Sequence, residues 1–238
     1  RIVHMVYEDL RPSKIMTRKA LENAIRMDLA IGGSTNAVLH IPALANELGI
    51  DLTADEFEKF NRTTPCIANV RPSGIYAVDD LHFAGGVPQL FKQLESLVHK
   101  ECLNVNGQTL GEILEHVKDA PNDVIRTVNN PICKDGGLSI LKGNLAPNGS
   151  VIRSSTIKES MQHFRGTAKV YSSDSEAHKA IINEDVKPGD VVVVRYVGPV
   201  GAPGMVEIME ATEAIVNLGL DESVSLITDG RFSGFCHG

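Results

Sequence analysis

Four consecutive valines, Val191 to Val194, constrain the fold of this chain more than any other feature. β-Branched side chains favour extended backbone, and an unbroken apolar run of this length is typical of a strand buried on both faces. The turn sequence Lys187-Pro188-Gly189-Asp190 precedes the run. The sequence therefore predicts that this region is built around a strand in the middle of a sheet.

Short strands and turn sequences dominate the chain after about Asn130. The predicted strands are 138–141, 150–152, 168–171, 191–196 and 223–228, separated by turns rich in Pro, Gly, Asn and Asp. Two predicted helices interrupt them. One follows the capping box Ser173-Asp174-Ser175-Glu176, and the other carries an apolar stripe of Ile208, Ala211, Ile215 and Val216.

Helical patterns dominate the chain before Asn130. Thr17 can cap a helix whose apolar stripe ends before Gly32-Gly33, and Ser34, Thr35 or Asn36 can cap the next helix. Pro42 should kink or split that second helix. Thr53 and Thr109 begin Thr-x-x-Glu capping boxes, and Pro88 suits the first turn of another helix. We therefore predict two domains, 1–130 with α/β architecture and 131–238 rich in strands.

Charge and composition exclude several classes of protein. The net charge of the 238 residues is −7 and no long run has one sign, which argues against nucleic-acid or membrane-surface partners. No apolar run reaches the 18 residues of a membrane span, no signal-peptide pattern is present, and both ends look like cuts through a longer protein. Cys66, Cys102, Cys133 and Cys236 are widely spaced, which favours reduced intracellular thiols over a metal quartet.

The strongest candidate site is the segment Thr228-Asp229-Gly230-Arg231-Phe232-Ser233-Gly234. It places Asp229, Arg231 and Ser233 at the exposed tip of a strand, where ligands commonly bind in α/β proteins. Glycines on both sides allow backbone N–H groups to approach a ligand. The ordinary interpretation is an Asp-Gly turn with a solvated arginine.

Two further segments are candidates. Glu207 follows the loop that begins at Gly198 and is predicted near the first turn of a helix, either as a simple stabilising acid or as a carboxylate ligand for Mg²⁺. Gly32-Gly33-Ser34-Thr35-Asn36 stands at a helix start, either as an ordinary cap or as exposed N–H groups that suit an anion. Motifs of zinc hydrolases, P-loop proteins, serine hydrolases and dinucleotide-binding proteins are absent.

Seven stretches in order resemble the dihydroxy-acid dehydratase and phosphogluconate dehydratase family. They are Gly32-Gly33-Ser34-Thr35-Asn36-Ala37-Val38-Leu39-His40, Pro72-Ser73-Gly74, Gly136-Gly137-Leu138, Leu141-Lys142-Gly143-Asn144-Leu145-Ala146-Pro147, Lys187-Pro188-Gly189-Asp190, Pro203-Gly204-Met205 and Thr228 to Gly234. The resemblance covers almost the whole chain. It implies the later part of an α/β N-terminal domain followed by a swivelling, β-barrel-like α/β domain.

The resemblance also implies a reaction and its residues. Such enzymes remove water from a 2,3-dihydroxy acid to give a 2-keto acid, with an iron–sulfur cluster, either 2Fe-2S or 4Fe-4S, and Mg²⁺. By motif position, Ser233 corresponds to the base that takes the C2 proton and Glu207 to the Mg²⁺ ligand, 26 residues apart. Ser34, Thr35, Asn36 and Arg231 correspond to substrate-binding positions, and Glu207 and Ser233 should lie within roughly 10 Å.

Two departures from the family pattern matter. The cluster cysteines and other metal motifs of the family lie upstream of the Gly-Gly-Ser-Thr-Asn stretch, so no cysteine here matches a cluster ligand. The family pattern Ser-Gly-Gly-Thr is replaced by Ser233-Gly234-Phe235-Cys236, which leaves the substrate contacts there open. The chain alone should therefore be inactive and colourless.

The sequence analysis thus predicts a hydro-lyase, and the stretches 187–193 and 226–232 look closer to the family members of branched-chain amino-acid biosynthesis. The alternatives are a sugar-acid dehydratase acting on an aldonate or phosphogluconate, and a non-catalytic truncated homologue. The resemblance also implies a small dihydroxy acid as substrate, a homodimer or homotetramer, and a cytoplasmic location.

Overall fold

The computed structural model describes residues 1–200 and 204–232. The chain divides into two compact units, Arg1–Thr156 and Ile157–Gly238. Residues 131–156 belong to the first unit, and Leu138 is buried in a core with residues of its helices. The domain boundary at about Asn130 stays a prediction.

The first unit is mainly helical, as its sequence pattern predicts. Its helices are α1 (Ile2–Tyr7), α2 (Pro12–Ile15), α3 (Arg18–Ala30), α4 (Ala37–Glu47), α5 (Ala54–Asn61), α6 (Val78–Phe83), α7 (Gly86–Gln93) and α8 (Leu110–Glu115). The antiparallel hairpin β1 (Ser139–Leu141) and β2 (Ser150–Ile152) follows. Thr17, Thr53 and Thr109 stand at helix N-caps, and the carboxylates of Glu56 and Glu112 accept the cap N–H groups, so the predicted caps are confirmed.

Pro42 lies inside α4, which runs unbroken from Ala37 to Glu47. Of the two predicted outcomes, a split of this helix does not occur. Ala45 is buried, and Val38, Ile41 and Leu48 pack against the same core. This packing outweighs the one backbone hydrogen bond that proline removes.

Helix α3 lies between the two hydrophobic cores of the first unit. Leu21, Ile25 and Leu29 pack with residues of α4 and α5 and with Leu138. Ala30, at the end of the same helix, packs instead with a second cluster that includes Ile67 and Leu90. The end of α3 and the loop after it are therefore held from both sides.

The second unit is an α/β structure. Its strands are β3 (Thr167–Tyr171), β4 (Asp190–Val194), β5 (Glu207–Ile208), β6 (Ser225–Thr228) and β7 (Arg231–Phe232), with helices α9 (Asp174–Ile182) and α10 (Glu210–Asn217). Strands β3, β4 and β6 form a parallel sheet in that order, and β5 pairs in parallel with β7. The α/β class is confirmed because parallel neighbours require crossover connections, which α9 and α10 provide.

Strand β4 is the central strand of this sheet, as the valine run predicts. Val192 and Val194 are fully buried, whereas Val191 and Val193 are half-buried. Burial is therefore complete on one face and partial on the other. Within the described residues the sheet stays open and does not close into a barrel, because β3 and β6 are its two edges.

Candidate functional site

The loop Gly32–Asn36, between α3 and α4, has a backbone conformation that requires glycine. The φ angles of Gly32 and Gly33 are +90° and +66°, in the left-handed region that other residues rarely adopt. A Cβ on Gly33 would lie 2.6 Å from Cγ of Leu138, and a Cβ on Gly32 would collide with the side chain of Ser73. Both conformation and close packing therefore favour glycine here.

The polar groups of this loop are bonded within the first unit. The N–H of Ser34 donates to Oδ1 of Asp28 at 3.0 Å, and the N–H of Asn36 donates to Oγ of Ser34 at 3.3 Å. These two amides are bonded within the protein, so neither is one of the exposed donors of the anion-binding alternative. Thr35 is buried, while Ser34 and Asn36 are half-buried. The substrate-binding role of these three residues stays a prediction.

Two buried charges stand beside the loop. Arg153 is only 3% exposed, and its Nε donates to the carbonyl oxygen of Gly33 at 3.1 Å. Burial raises the pKa of Asp28 to about 6, although the Ser34 N–H and the charge of Arg153 act in the opposite direction. Oδ2 of Asp28 is buried and has no hydrogen-bond partner among the described residues.

The sequence analysis missed both residues. Asp28 lies in the last turn of α3, where a carboxylate is unfavourable beside the negative end of the helix dipole. That misplaced acid is the signal that could have identified it. Arg153 has no comparable local signal, because it meets the loop from 120 residues away in sequence.

Two serine hydroxyls complete the surroundings of the loop. Oγ of Ser73 and Oγ of Ser155 are 2.9 Å apart, and Ser73 also donates to the carbonyl oxygen of Gly32 at 3.3 Å. Ser73 belongs to the Pro-Ser-Gly stretch of the family resemblance. Segments that are distant in sequence therefore converge on this one loop.

The second group of candidate residues lies where β5 pairs with β7. Glu207 and Arg231 are opposite each other in this parallel pair. Nη1 of Arg231 is 3.2 Å from Oε1 of Glu207, and Nε of Arg231 donates to the carbonyl oxygen of Met205 at 2.9 Å. The structure thus brings the predicted metal ligand and a predicted substrate-binding residue into one ion pair.

Glu207 lies near the start of a helix but is not part of it, because the helix predicted from about Ile208 begins at Glu210. Glu207 itself lies in β5, three residues before α10. The N-terminus of α10 is occupied by Asp174, whose carboxylate accepts the N–H groups of Met209, Glu210 and Ala211 at 3.0, 3.1 and 2.9 Å. This cap comes from α9, so no local pattern near Glu207 could reveal it.

Asp229 has a structural role at the end of the sheet. Its two carboxylate oxygens accept the N–H groups of Tyr196 and Val197, both at 3.1 Å. Tyr196 has a φ of +68°, a strained conformation for a bulky residue. Asp229 therefore joins the segment that follows β4 to the segment that follows β6.

Ser233 and Cys236 lie outside the described residues. The expected distance of roughly 10 Å between Glu207 and Ser233 therefore stays a prediction.

The described residues do not form a complete site for a metal ion or an iron–sulfur cluster. No three His, Cys, Asp or Glu side chains converge within residues 1–200 and 204–232. Cys66, Cys102 and Cys133 are free thiols, and burial raises the pKa of Cys66 to about 12. Burial also raises the pKa of Cys102 and Cys133. Cluster ligands are thiolates, so a raised pKa makes these three thiols poor ligands for a cluster.

None of the helices in the described residues is long and apolar enough to cross a bilayer.

Comparison with known protein families matches both halves of the chain to one family. The N-terminal domain of the dihydroxy-acid/6-phosphogluconate dehydratase family matches residues 1–113, and the C-terminal domain of that family matches residues 123–238.

Individual relatives belong to the same family as the two matched domains. The chain is 51% identical to a dihydroxy-acid dehydratase of Ignicoccus hospitalis, 49% to one of Prochlorococcus marinus and 47% to one of Methanothermobacter thermautotrophicus. Each alignment covers 100% of this chain but only 43–44% of the relative, so the chain spans less than half of their length. The chain belongs to the dihydroxy-acid/6-phosphogluconate dehydratase family.

Proposed function

We propose that the full-length protein is a hydro-lyase that dehydrates a 2,3-dihydroxy carboxylic acid to a 2-keto acid in branched-chain amino-acid biosynthesis. The observation that carries the proposal is the pairing of β5 with β7. It joins Glu207 to Arg231, two residues before Ser233. The similarity to the three dihydroxy-acid dehydratases supports the same reaction.

The proposed chemistry removes the C2 proton and the C3 hydroxyl group. Ser233 takes the proton and later releases it, so that in the net reaction the proton and the hydroxide make up one water molecule. The resulting enol tautomerises to the 2-keto acid. Ser233 accepts the C2 proton, a role that requires positive charge nearby to lower the pKa of its hydroxyl. Arg231 and the loop residues Ser34, Thr35 and Asn36 bind the substrate, and a guanidinium suits its carboxylate.

The family resemblance supports an iron–sulfur cluster and Mg²⁺ as cofactors of the full-length protein. When bound, they supply positive charge to the departing hydroxyl group and to the substrate carboxylate. Because the described residues offer no complete site, we propose that most ligands come from the remainder of the full-length protein, with Glu207 as one carboxylate ligand of Mg²⁺. A homodimer or homotetramer and a cytoplasmic location stay predictions.

The test is a substrate comparison with the full-length protein. We expect turnover of 2,3-dihydroxyisovalerate, measured as keto-acid release, and much slower turnover of gluconate and 6-phosphogluconate. The family description also includes 6-phosphogluconate dehydratases, so turnover of a sugar acid alone would assign the protein to that branch. Absence of turnover with every acid, in protein with its cofactors restored, would favour the non-catalytic homologue.

A further inference from the structure

We propose that Asp28 and Arg153 are positioning residues that hold the loop Gly32–Asn36 in the conformation that receives the substrate. This inference rests on the proposed function, because it takes that loop as part of the substrate site. Neither residue belongs to the motif stretches by which the chain resembles its family.

The two side chains hold one peptide group of the loop, the one between Gly33 and Ser34. Asp28 accepts the N–H of Ser34, and Arg153 donates to the carbonyl oxygen of Gly33, so they act on the same peptide unit from its two ends. A peptide that is bonded through both its oxygen and its N–H has a defined orientation. The positions of the Ser34 and Asn36 side chains follow from that orientation, because Oγ of Ser34 in turn accepts the N–H of Asn36.

The carboxylate of Asp28 is not explained well by stability alone. Burial raises its pKa, and within the described residues it accepts the N–H of Ser34 through Oδ1. Oδ2 of Asp28 is buried without a hydrogen-bond partner there. A buried carboxyl group with one unused oxygen destabilises a fold. Such unfavourable polar groups are typical of sites that are organised for function.

The experiment uses the full-length enzyme with Asp28→Ala and Asp28→Asn, and with Asp51→Asn as the control at an exposed carboxylate of the same unit. A binding loop contributes equally to the ground state and the transition state, so its displacement raises KM more than it lowers kcat. We expect Asp28→Ala to raise KM by about tenfold or more while kcat changes by less than about threefold. Asp28→Asn keeps an acceptor oxygen, so it should fold even if the alanine variant does not. Its KM should lie between those of the unsubstituted enzyme and Asp28→Ala.

A second readout follows the loop without any activity measurement. In full-length protein labelled with ¹⁵N-serine, the Ser34 amide resonance should shift with the ionisation of Asp28. Arg153 is the charged group that faces Asp28. The shift should disappear in Asp28→Asn and remain in Asp51→Asn.

The two readouts separate the possible failures. A changed Ser34 resonance together with a raised KM supports the proposal. If the chemical shift of the Ser34 amide changes neither with pH nor with the Asp28 substitutions, the positioning role is overturned at any value of KM. A changed resonance with an unchanged KM also overturns it, because the loop conformation then has no bearing on the substrate. Absence of dehydratase activity in the unsubstituted enzyme would refute the proposed function, and the resonance would then decide the positioning of the loop.

Discussion

The loop Gly32–Asn36 and the Glu207–Arg231 pair are built in opposite ways. Buried groups from distant segments hold the loop, among them Arg153 at 3% exposure. The ion pair joins two-residue strands, and its side chains are 33% exposed for Glu207 and 27% for Arg231. The first arrangement is preorganised for binding, whereas the second can change partners at a small cost in free energy. We therefore expect changes in the loop to affect folding and KM, and changes beside Glu207 to affect kcat.

The largest expected effect concerns the proposed base, Ser233, which follows Arg231 of the Glu207–Arg231 pair by two residues. Ser233→Ala in the full-length enzyme should lower kcat by about a thousandfold or more with little change in KM, because the proposed base is lost and the binding groups remain. Steady-state kinetics measures both constants. Ser175→Ala, at an exposed position of α9, is the control. Retention of more than a tenth of kcat would remove Ser233 from the proposed mechanism.

The next prediction concerns the rigidity of the loop. Gly33→Ala combines a φ of +66° with a Cβ 2.6 Å from Leu138, so it should lower the free energy of unfolding by about 3 kcal/mol or more. Gly49 has a φ of +68°, but no atom would lie within 4 Å of a Cβ there. Gly49→Ala should therefore lower the free energy of unfolding by only about 1 kcal/mol. Urea unfolding of the full-length protein measures both. If both variants lowered the free energy of unfolding equally, the side chain of Leu138 would have moved to make room for the new Cβ, and the loop would not be tightly packed.

The pH dependence of stability gives the third prediction. The pKa of Asp28 is raised from 3.8 to about 6 in the folded protein, so its protonated form contributes stability that is complete below pH 3.8 and is lost as the pH rises through 6. Asp28→Asn mimics the protonated form. It should therefore increase the free energy of unfolding at pH 8, by up to about 3 kcal/mol. Near pH 4 the two proteins should be equally stable.

Urea unfolding at both pH values measures this difference. Asp51→Asn should show no such pH dependence. A loss of stability in Asp28→Asn at pH 8 would mean that the carboxylate stabilises the fold through Arg153, which contradicts the interpretation of Asp28 as a residue organised for function.

The smallest expected effect concerns the ion pair. Glu207→Gln should change the free energy of unfolding by less than about 1 kcal/mol, because both side chains are partly exposed. The same variant should need a higher Mg²⁺ concentration for half-maximal activity of the full-length enzyme. Glu222→Gln, which alters the exposed pair with Lys158, is the matched control for stability. An unchanged Mg²⁺ requirement would contradict the predicted role of Glu207.

Local sequence patterns predicted most of the secondary structure of this chain. Thr17, Thr53, Thr109 and Ser173 stand at helix N-caps, because a cap is decided by a few consecutive residues. The run of four valines forms the central strand β4, because consecutive β-branched side chains favour extended backbone. The candidate residues Glu207 and Arg231 were also identified from sequence, through the family resemblance, although their contact with each other was not.

The tertiary structure decided how the candidate residues are held. Glu207, predicted near the first turn of a helix, lies in strand β5, and the helix begins only at Glu210, where Asp174 of α9 caps it. Asp28 and Arg153 meet the loop Gly32–Asn36 through contacts of very different sequence separation. The sequence by itself therefore determined most of the elements, the caps formed by neighbouring residues, and the family. Only the fold determined which buried charges and capping groups surround the candidate site, because those contacts join residues whose spacing in the chain carries no pattern.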